Sequence, residues 1–163
     1  MAVKGEKSVT RIGVISDTHD HFDPKIREVF EGVDHIIHGG DIGLPWIILQ
    51  LEEIAPVTAV LGNTDDAGIN YRETELVIVG QRKFLVHHVV DPRNLAEKFK
   101  RRVIRDNPDV VVFGHTHKPL CETIGNTLYL NPGYAGKQRF DLPRTVAILT
   151  CDAEGMTADF LEL

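Results

Sequence analysis

The sequence predicts an α/β protein built as a two-sheet (mixed β) sandwich flanked by helices. Three observations carry this. Short apolar runs at residues 12–15, 35–38, 57–61, 84–86 and 110–113 recur along the chain. In the first half such runs alternate with helix-like patterns, which argues for parallel strands joined by helical crossovers. In the second half the strand-like runs are closely spaced and separated by turn residues, which argues for antiparallel or mixed pairing.

Taken in order, residues 11–16 read as a buried strand with Ile12, Val14 and Ile15. Asp23-Pro24 reads as an N-cap and a first helical residue, and Ile26, Val29 and Phe30 mark a short helix that stops near Gly32. Residues 35–38 are a second strand. Pro45 opens a second helix to about Glu53, with Trp46, Ile47, Leu49 and Ile54 as its packing residues. Residues 57–60 complete a β-α-β-α-β series. Residues 74–79 and 83–86 read as a hairpin across 80–82. Asp91-Pro92 predicts the start of a third helix whose Leu95, Phe99 and Val103 share one face, and Asn107-Pro108 ends it. Residues 109–113 are a β-branched strand. Four further strands are expected at 120–124, 128–130, 146–150 and 157–163, the first two separated by Gly125-Asn126.

The chain has 163 residues, which fits one domain spanning 1–163 with residues 1–10 as a polar lead. Composition is that of a globular protein, 42% hydrophobic and 26% charged. No apolar stretch is long enough to cross a bilayer, and the polar N-terminal residues do not resemble a signal peptide, so a cytoplasmic location and no membrane partner are expected. The formal net charge of −6 argues against non-specific nucleic-acid binding, which needs Lys and Arg to neutralise phosphates. Cys121 and Cys151 form no C-x-x-C pair and read as small buried hydrophobes of a reduced compartment. The basic run from Lys98 to Arg105 reads as a solvated helix face rather than a nucleic-acid patch.

Function is signalled at the ends of the five apolar runs. They lead into Asp17-Thr18-His19, Gly39-Gly40-Asp41, Gly62-Asn63, His87-His88 and Gly114-His115-Thr116-His117. Sheets of this class place their chemistry beyond the carboxyl ends of their strands, so five strand ends can deliver Asp, Asn and His to one site. Asp17 and His19, like His115 and His117, stand two apart, a spacing that serves one cation from an extended loop. Carboxylate, imidazole and amide donors together suit a borderline divalent ion, and the lack of thiolates disfavours a structural zinc site. Each dipeptide alone is a common turn or solvated pair; the ordered set of five is not.

That ordered set, Asp17-x-His19, Gly40-Asp41, Gly62-Asn63, His87 and Gly114-His115-x-His117, resembles the signature of the calcineurin-like metallophosphoesterases, in particular their small prokaryotic members. The resemblance runs from about Arg11 to Arg144 and takes in Asn131-Pro132-Gly133. It implies two divalent metal ions, with Mn²⁺ expected and Ni²⁺, Co²⁺, Fe²⁺ or Zn²⁺ as alternatives. Asp17, His19 and His117 would bind the first, Asn63, His87 and His115 the second, and Asp41 would bridge both. Asp41, Asn63 and His19 would be the catalytic residues. The implied activity is hydrolysis of a small phosphate ester, by preference a diester, through a water activated between two cations. The resemblance also implies a homo-oligomer, for which the sequence carries no interface signature. A rival reading is a protein-binding scaffold on the same fold that has lost catalysis; a retired site would have replaced its metal-binding histidines, and here all seven expected ligands stand.

This sequence departs from the family pattern at three places. Thr64 follows Asn63 where larger phosphatases carry a His as proton donor, which favours diesters or other substrates with good leaving groups. His88 follows His87 where Gly is usual, so His88 is an alternative ligand or proton donor. Tyr134 stands where small members often carry Ser. Of the other histidines, His38 reads as either a support for a ligand or a packed strand residue, His21 as an exposed loop residue, and His35 as structural.

Overall fold

In a computed structural model, residues 9–66 and 70–163 are described; the expected polar lead at 1–10 lies almost wholly outside them. Ten strands and three helices follow one another as β1 (Thr10–Ile15), α1 (Lys25–Val29), β2 (His35–His38), α2 (Trp46–Glu52), β3 (Val57–Ala59), β4 (Thr74–Val79), β5 (Arg82–His87), α3 (Glu97–Asp106), β6 (Val110–Val112), β7 (Leu120–Ile124), β8 (Thr127–Asn131), β9 (Thr145–Cys151) and β10 (Met156–Glu162). They form two five-stranded mixed sheets, ordered β10-β9-β1-β2-β3 and β4-β5-β6-β8-β7. β1, β2 and β3 are parallel, as are β5, β6 and β8. β9 returns antiparallel to β1 and β10 antiparallel to β9, so the C-terminal strands complete the first sheet and not the second.

The sheets pack face to face through Ile12, Val14 and Ile37 on one side and Phe84, Val86, Val110 and Val112 on the other. The outer face of the first sheet is covered by α1 and α2, where Phe30, Ile47, Ile48 and Leu51 meet Ile15 and Ile36. The outer face of the second meets α3 through Phe99 against Leu85 and Val111. Strands buried on both faces explain why β1, β2 and β6 read as nearly continuous apolar runs rather than alternating ones. Because β1, β2, β3, β5 and β6 are laid in parallel fashion within their sheets, their carboxyl ends gather at one edge of the sandwich.

Several details differ from the expectations. α3 begins at Glu97, five residues beyond Pro92. Asp91-Pro92 instead makes a turn, with Asp91 accepting from the backbone N–H of Arg93 and Asn94. The Asp91 side chain accepts from Arg93 N–H and the Asp91 backbone carbonyl from Asn94 N–H, a local turn that competes with helix nucleation at this point. The predicted end holds: Asn107 adopts a left-handed φ of 45° as the C-cap. α2 buries Ile47, Ile48 and Leu51, whereas Trp46 and Leu49 are exposed, because Pro45 sets a helical phase that turns those two outward. Cys121 is exposed on edge strand β7; Cys151 is buried as expected, and both are free thiols. Among the described residues, no helix is long and apolar enough to cross a membrane.

Candidate metal centre

The loops after β1 and β2 are zipped together by backbone hydrogen bonds from Asp17 N to Gly40 O, His19 N to Asp41 O and Asp20 N to Ile42 O, all near 3.0 Å. The loop after β6 joins through Gly114 N to His88 O. Six non-glycine residues of these loops hold left-handed backbone conformations: Asp17 (φ 56°), His19 (44°), Asp20 (64°), Asp41 (53°), His115 (71°) and His117 (61°). Such conformations cost free energy in non-glycine residues and persist where the surroundings over-determine them. Glycine is required at two adjoining points. A Cβ on Gly62 would overlap the Asp41 carboxylate, and one on Gly114 would meet Ser16 Oγ and Asp17 Oδ2.

The side chains so placed form one cluster. His117 Nε2 lies 3.2 Å from Asp17 Oδ1, and His19 Nε2 lies 3.8 Å from that same oxygen and 3.7 Å from Asp41 Oδ2. His88 Nε2 lies 3.2 Å from Asp41 Oδ2 and 3.8 Å from Asp17 Oδ1. Asp17, His19 and His117 make one constellation able to hold a metal ion, and Asp17, Asp41 and His88 make a second. On the exposed side His115 Nδ1 donates to Asn63 Oδ1 at 3.0 Å, and the His115 ring sits 5.5 Å from that of His88. Asp17 Oδ1, His19 Nε2 and His88 Nε2 are buried without a hydrogen-bond partner. Buried polar atoms left unpaired cost about 1–3 kcal/mol each, and three of them converging on one point fit a cation.

The supports fix which lone pairs face inward. His88 Nδ1 donates to Gly39 O at 2.7 Å, so Nε2 carries the lone pair of the neutral ring. Asp17 Oδ2 accepts from Ser16 Oγ and His115 N, and Asp41 Oδ1 accepts from Thr64 N. Burial alone would raise the Asp41 pKa, but His88 and the Thr64 N–H outweigh it and hold the carboxyl well below the usual range. For His88, burial opposes the charged ring, yet Asp41 and Asp17 beside it push its pKa up. A proton and a metal ion therefore compete for His88 Nε2. His117, by contrast, is lowered by burial despite Asp17.

His87 lies apart from this cluster. Its ring stacks on Phe99 at 5.0 Å, and Nδ1 meets Thr74 Oγ1 and Glu73 O. At this strand end the structure brings His88, not the expected His87, to the two carboxylates. His38 is wholly buried and braces the loops: its Nδ1 accepts from Gly40 N, and its Nε2 meets Thr18 Oγ1, which donates to Ile42 O. Burial drives its pKa down to about 3. His35 meets Thr58 and is half-buried, and His21 is likewise half-buried rather than exposed.

Two supports escaped the sequence reading. Asp65 accepts from three backbone N–H groups, those of Ile42, Gly43 and Gly62, and so ties the Asp41 loop to the Asn63 loop. Its position two after Asn63 was the only available signal. Ser16, buried beside Asp17, read only as the end of a strand. Asn131, noted as part of Asn131-Pro132-Gly133, donates through Nδ2 to Gly114 O and Thr116 Oγ1, and so holds the His115–His117 loop.

Comparison with known proteins gives the family and the fold. A family model described as the calcineurin-like phosphoesterase superfamily domain matches residues 10–154. A probable metallophosphoesterase of Methanothermobacter thermautotrophicus is 34% identical over 157 residues, covering 92% of this chain and 91% of its own. Among solved structures, a novel archaeal phosphodiesterase superposes with a TM-score of 0.75 at 29% identity, covering 94% of this chain and 100% of that one. Vacuolar Protein Sorting 29 from Cryptosporidium parvum shares the fold, with a TM-score of 0.75 at 18% identity over 96% of this chain and 99% of that one.

Proposed function

Because the chain belongs to the calcineurin-like phosphoesterase superfamily, we propose that it is a metal-dependent hydrolase of small phosphate esters, with diesters preferred. The observation that carries this is the convergence of Asp17 Oδ1, His19 Nε2 and His88 Nε2, buried and unpaired, at one point. Asp17, His19 and His117 hold one divalent ion in this reading. Asn63, His88 and His115 hold a second, with His88 in place of His87. Asp41 serves both, since its Oδ2 faces His19 on one side and His88 on the other. Mn²⁺ is the ion expected, with Ni²⁺, Co²⁺, Fe²⁺ or Zn²⁺ also compatible with the donors. When bound, such ions neutralise phosphoryl charge and make an attacking water more acidic.

The remaining steps belong to the chain. Asn63 lies at the exposed rim with its Oδ1 toward His115, which leaves the amide N–H groups free to donate to a phosphoryl oxygen. His19 Nε2 lies between the two carboxylates, 3.8 Å from Asp17 Oδ1 and 3.7 Å from Asp41 Oδ2, and would help hold the first ion there. Thr64 contributes its backbone N–H to Asp41 and no acidic side chain. Leaving-group protonation is therefore weak, which favours esters whose leaving group is already stable.

The test is hydrolysis of a chromogenic phosphodiester and its monoester by chelated protein after addition of Mn²⁺, Ni²⁺ or Zn²⁺. Turnover restored by metal, faster on the diester, and reduced by at least about 10²-fold in Asp41→Ala, is expected. Wild-type turnover in Asp41→Ala would overturn the shared-carboxylate mechanism. No turnover with any metal despite bound ions would overturn the enzyme reading.

A further inference from the structure

Beside the candidate metal centre, on the side of His117, the chain between Tyr134 and Arg144 is folded tightly around one aromatic ring. Tyr134 is fully buried; its ring lies 4.7 Å from that of His117 and 6.2 Å from that of His19. Its hydroxyl donates to Lys137 O at 2.8 Å. A Cβ on Gly136 would collide with the Tyr134 phenol, so the segment has no slack there. The far end is clamped as well. The Arg144 side chain is only 9% exposed; Nε donates to Gly136 O and Nη1 donates to Asp23 Oδ2 at 2.9 Å. Thr145 N donates to Tyr134 O, which closes the loop on itself.

From this clamped segment Arg139 projects with its guanidinium 5.5 Å over the Tyr134 ring, and Lys137 is exposed beside it. Among the described residues neither is paired with a carboxylate. Arg139 thus stands one aromatic ring away from His117, held by a cation–π contact that limits its freedom before any ligand arrives. In a chain of net charge −6, an unneutralised guanidinium one aromatic ring away from His117 is a local site for an anionic group. The cleft beside Asn63 and His88 is different. It is about 190 Å³, and among the described residues its walls include Leu61, Val89 and His87, with Glu73 as the one acidic lining residue. The two flanks of the centre therefore favour substituents of opposite character.

Resting on the phosphoesterase reading, we propose that Arg139, held over Tyr134, is a specificity residue that binds a second phosphate group carried by the substrate. The planar guanidinium suits bidentate contact with phosphate oxygens. The less polar substituent of the ester is directed toward Leu61 and Val89. The preferred substrates are small phosphodiesters with a further terminal phosphate on one arm.

The test uses two esters that differ only in that group: thymidine 5′-(p-nitrophenyl phosphate) with and without a 3′-phosphate. The wild-type metal-loaded protein is expected to favour the 3′-phosphorylated ester in kcat/KM by about tenfold, equivalent to about 1.4 kcal/mol. Arg139→Ala is expected to erase this preference while changing kcat/KM for the other ester less than about twofold, and Arg139→Lys to retain part of it. Calorimetric binding of thymidine 3′,5′-bisphosphate against thymidine 5′-phosphate gives a readout independent of turnover; the tighter binding of the bisphosphate should vanish in Arg139→Ala. No wild-type preference in either assay, or an equal loss on both esters in Arg139→Ala, would overturn the proposal. Arg139-dependent binding of the bisphosphate with no hydrolysis of either ester would uphold the subsite and overturn the enzyme reading instead.

Discussion

His88 Nε2 stands 3.2 Å from Asp41 Oδ2, while its neighbour His87 stacks on Phe99. Successive residues leaving a strand point to opposite faces. In β5, Phe84 and Val86 enter the layer between the sheets, whereas Leu85 joins the layer under α3. Continuing that alternation sends His87 outward to Phe99 and His88 inward to the carboxylates.

This arrangement predicts different outcomes for two adjacent substitutions. His88→Ala should lose one bound metal ion per chain and at least about 10²-fold in kcat, as expected for loss of a direct ligand. His87→Ala should keep full metal content and lose activity only a few-fold. Metal stoichiometry by elemental analysis of the two variants, prepared in parallel, is the measurement. Metal lost from His87→Ala and retained by His88→Ala would reverse the assignment.

Asp65 touches none of the candidate ligands through its side chain, yet it collects three backbone N–H groups from two ligand-bearing loops. Asp65→Ala strands those donors in a partly buried place, which should cost roughly 2–4 kcal/mol of stability. Because the loops carry Asp41 and Asn63, metal affinity should fall as well. Asp65→Asn, which keeps one acceptor oxygen, should fall between the two. Denaturant unfolding of the chelated proteins separates the stability loss from the metal effect; unchanged stability in Asp65→Ala would remove this role.

The buried His38 gives the protein a built-in acid sensitivity. Its pKa is depressed by burial to about 3 in the folded chain, against 6.5 for an exposed imidazole. Below pH 6.5 the unfolded chain takes up a proton that the folded chain refuses, so this group's contribution makes stability fall as pH drops from 6.5 toward 3. Between pH 7 and pH 5 the loss is on the order of 2 kcal/mol. Unfolding of metal-free wild type and His38→Asn at the two pH values, compared as a difference, isolates it from the other histidines. An equal pH dependence in both proteins would show that His38 titrates normally.

Thr64 supplies a backbone N–H to Asp41 but no proton for a leaving group. Thr64→His keeps that N–H and adds an imidazole at the rim. Monoester kcat should rise by at least about tenfold, with little change on an activated diester. The diester-to-monoester ratio measures this, and an unchanged ratio would show that the proton comes from another group.

Much of the site was legible in the chain because its residues follow strand ends. Asp17, His19, Asp41, Asn63, His115 and His117 each lie within a few residues of a predicted strand, and the parallel order of β1, β2 and β3 followed from helical patterns between them. The sequence pattern stopped short at β5. Both faces of that strand are buried, so apolar content alone gave no sign of which face looked toward the site. The helix start at 91–92 failed for a local reason, since an Asx turn and a helix N-cap begin with the same Asp-Pro pair.

By itself, then, the sequence determined most of the strands and the order of the candidate metal-ligating residue types, because these depend on local periodicity and donor chemistry. Only the tertiary structure decided that β9 and β10 close the first sheet, that His88 rather than His87 meets Asp41, and that Asp65 and Asn131 brace the loops. Those outcomes depend on which faces meet across the sandwich and which distant backbone donors are left to be satisfied, and neither is encoded in any short stretch of residues.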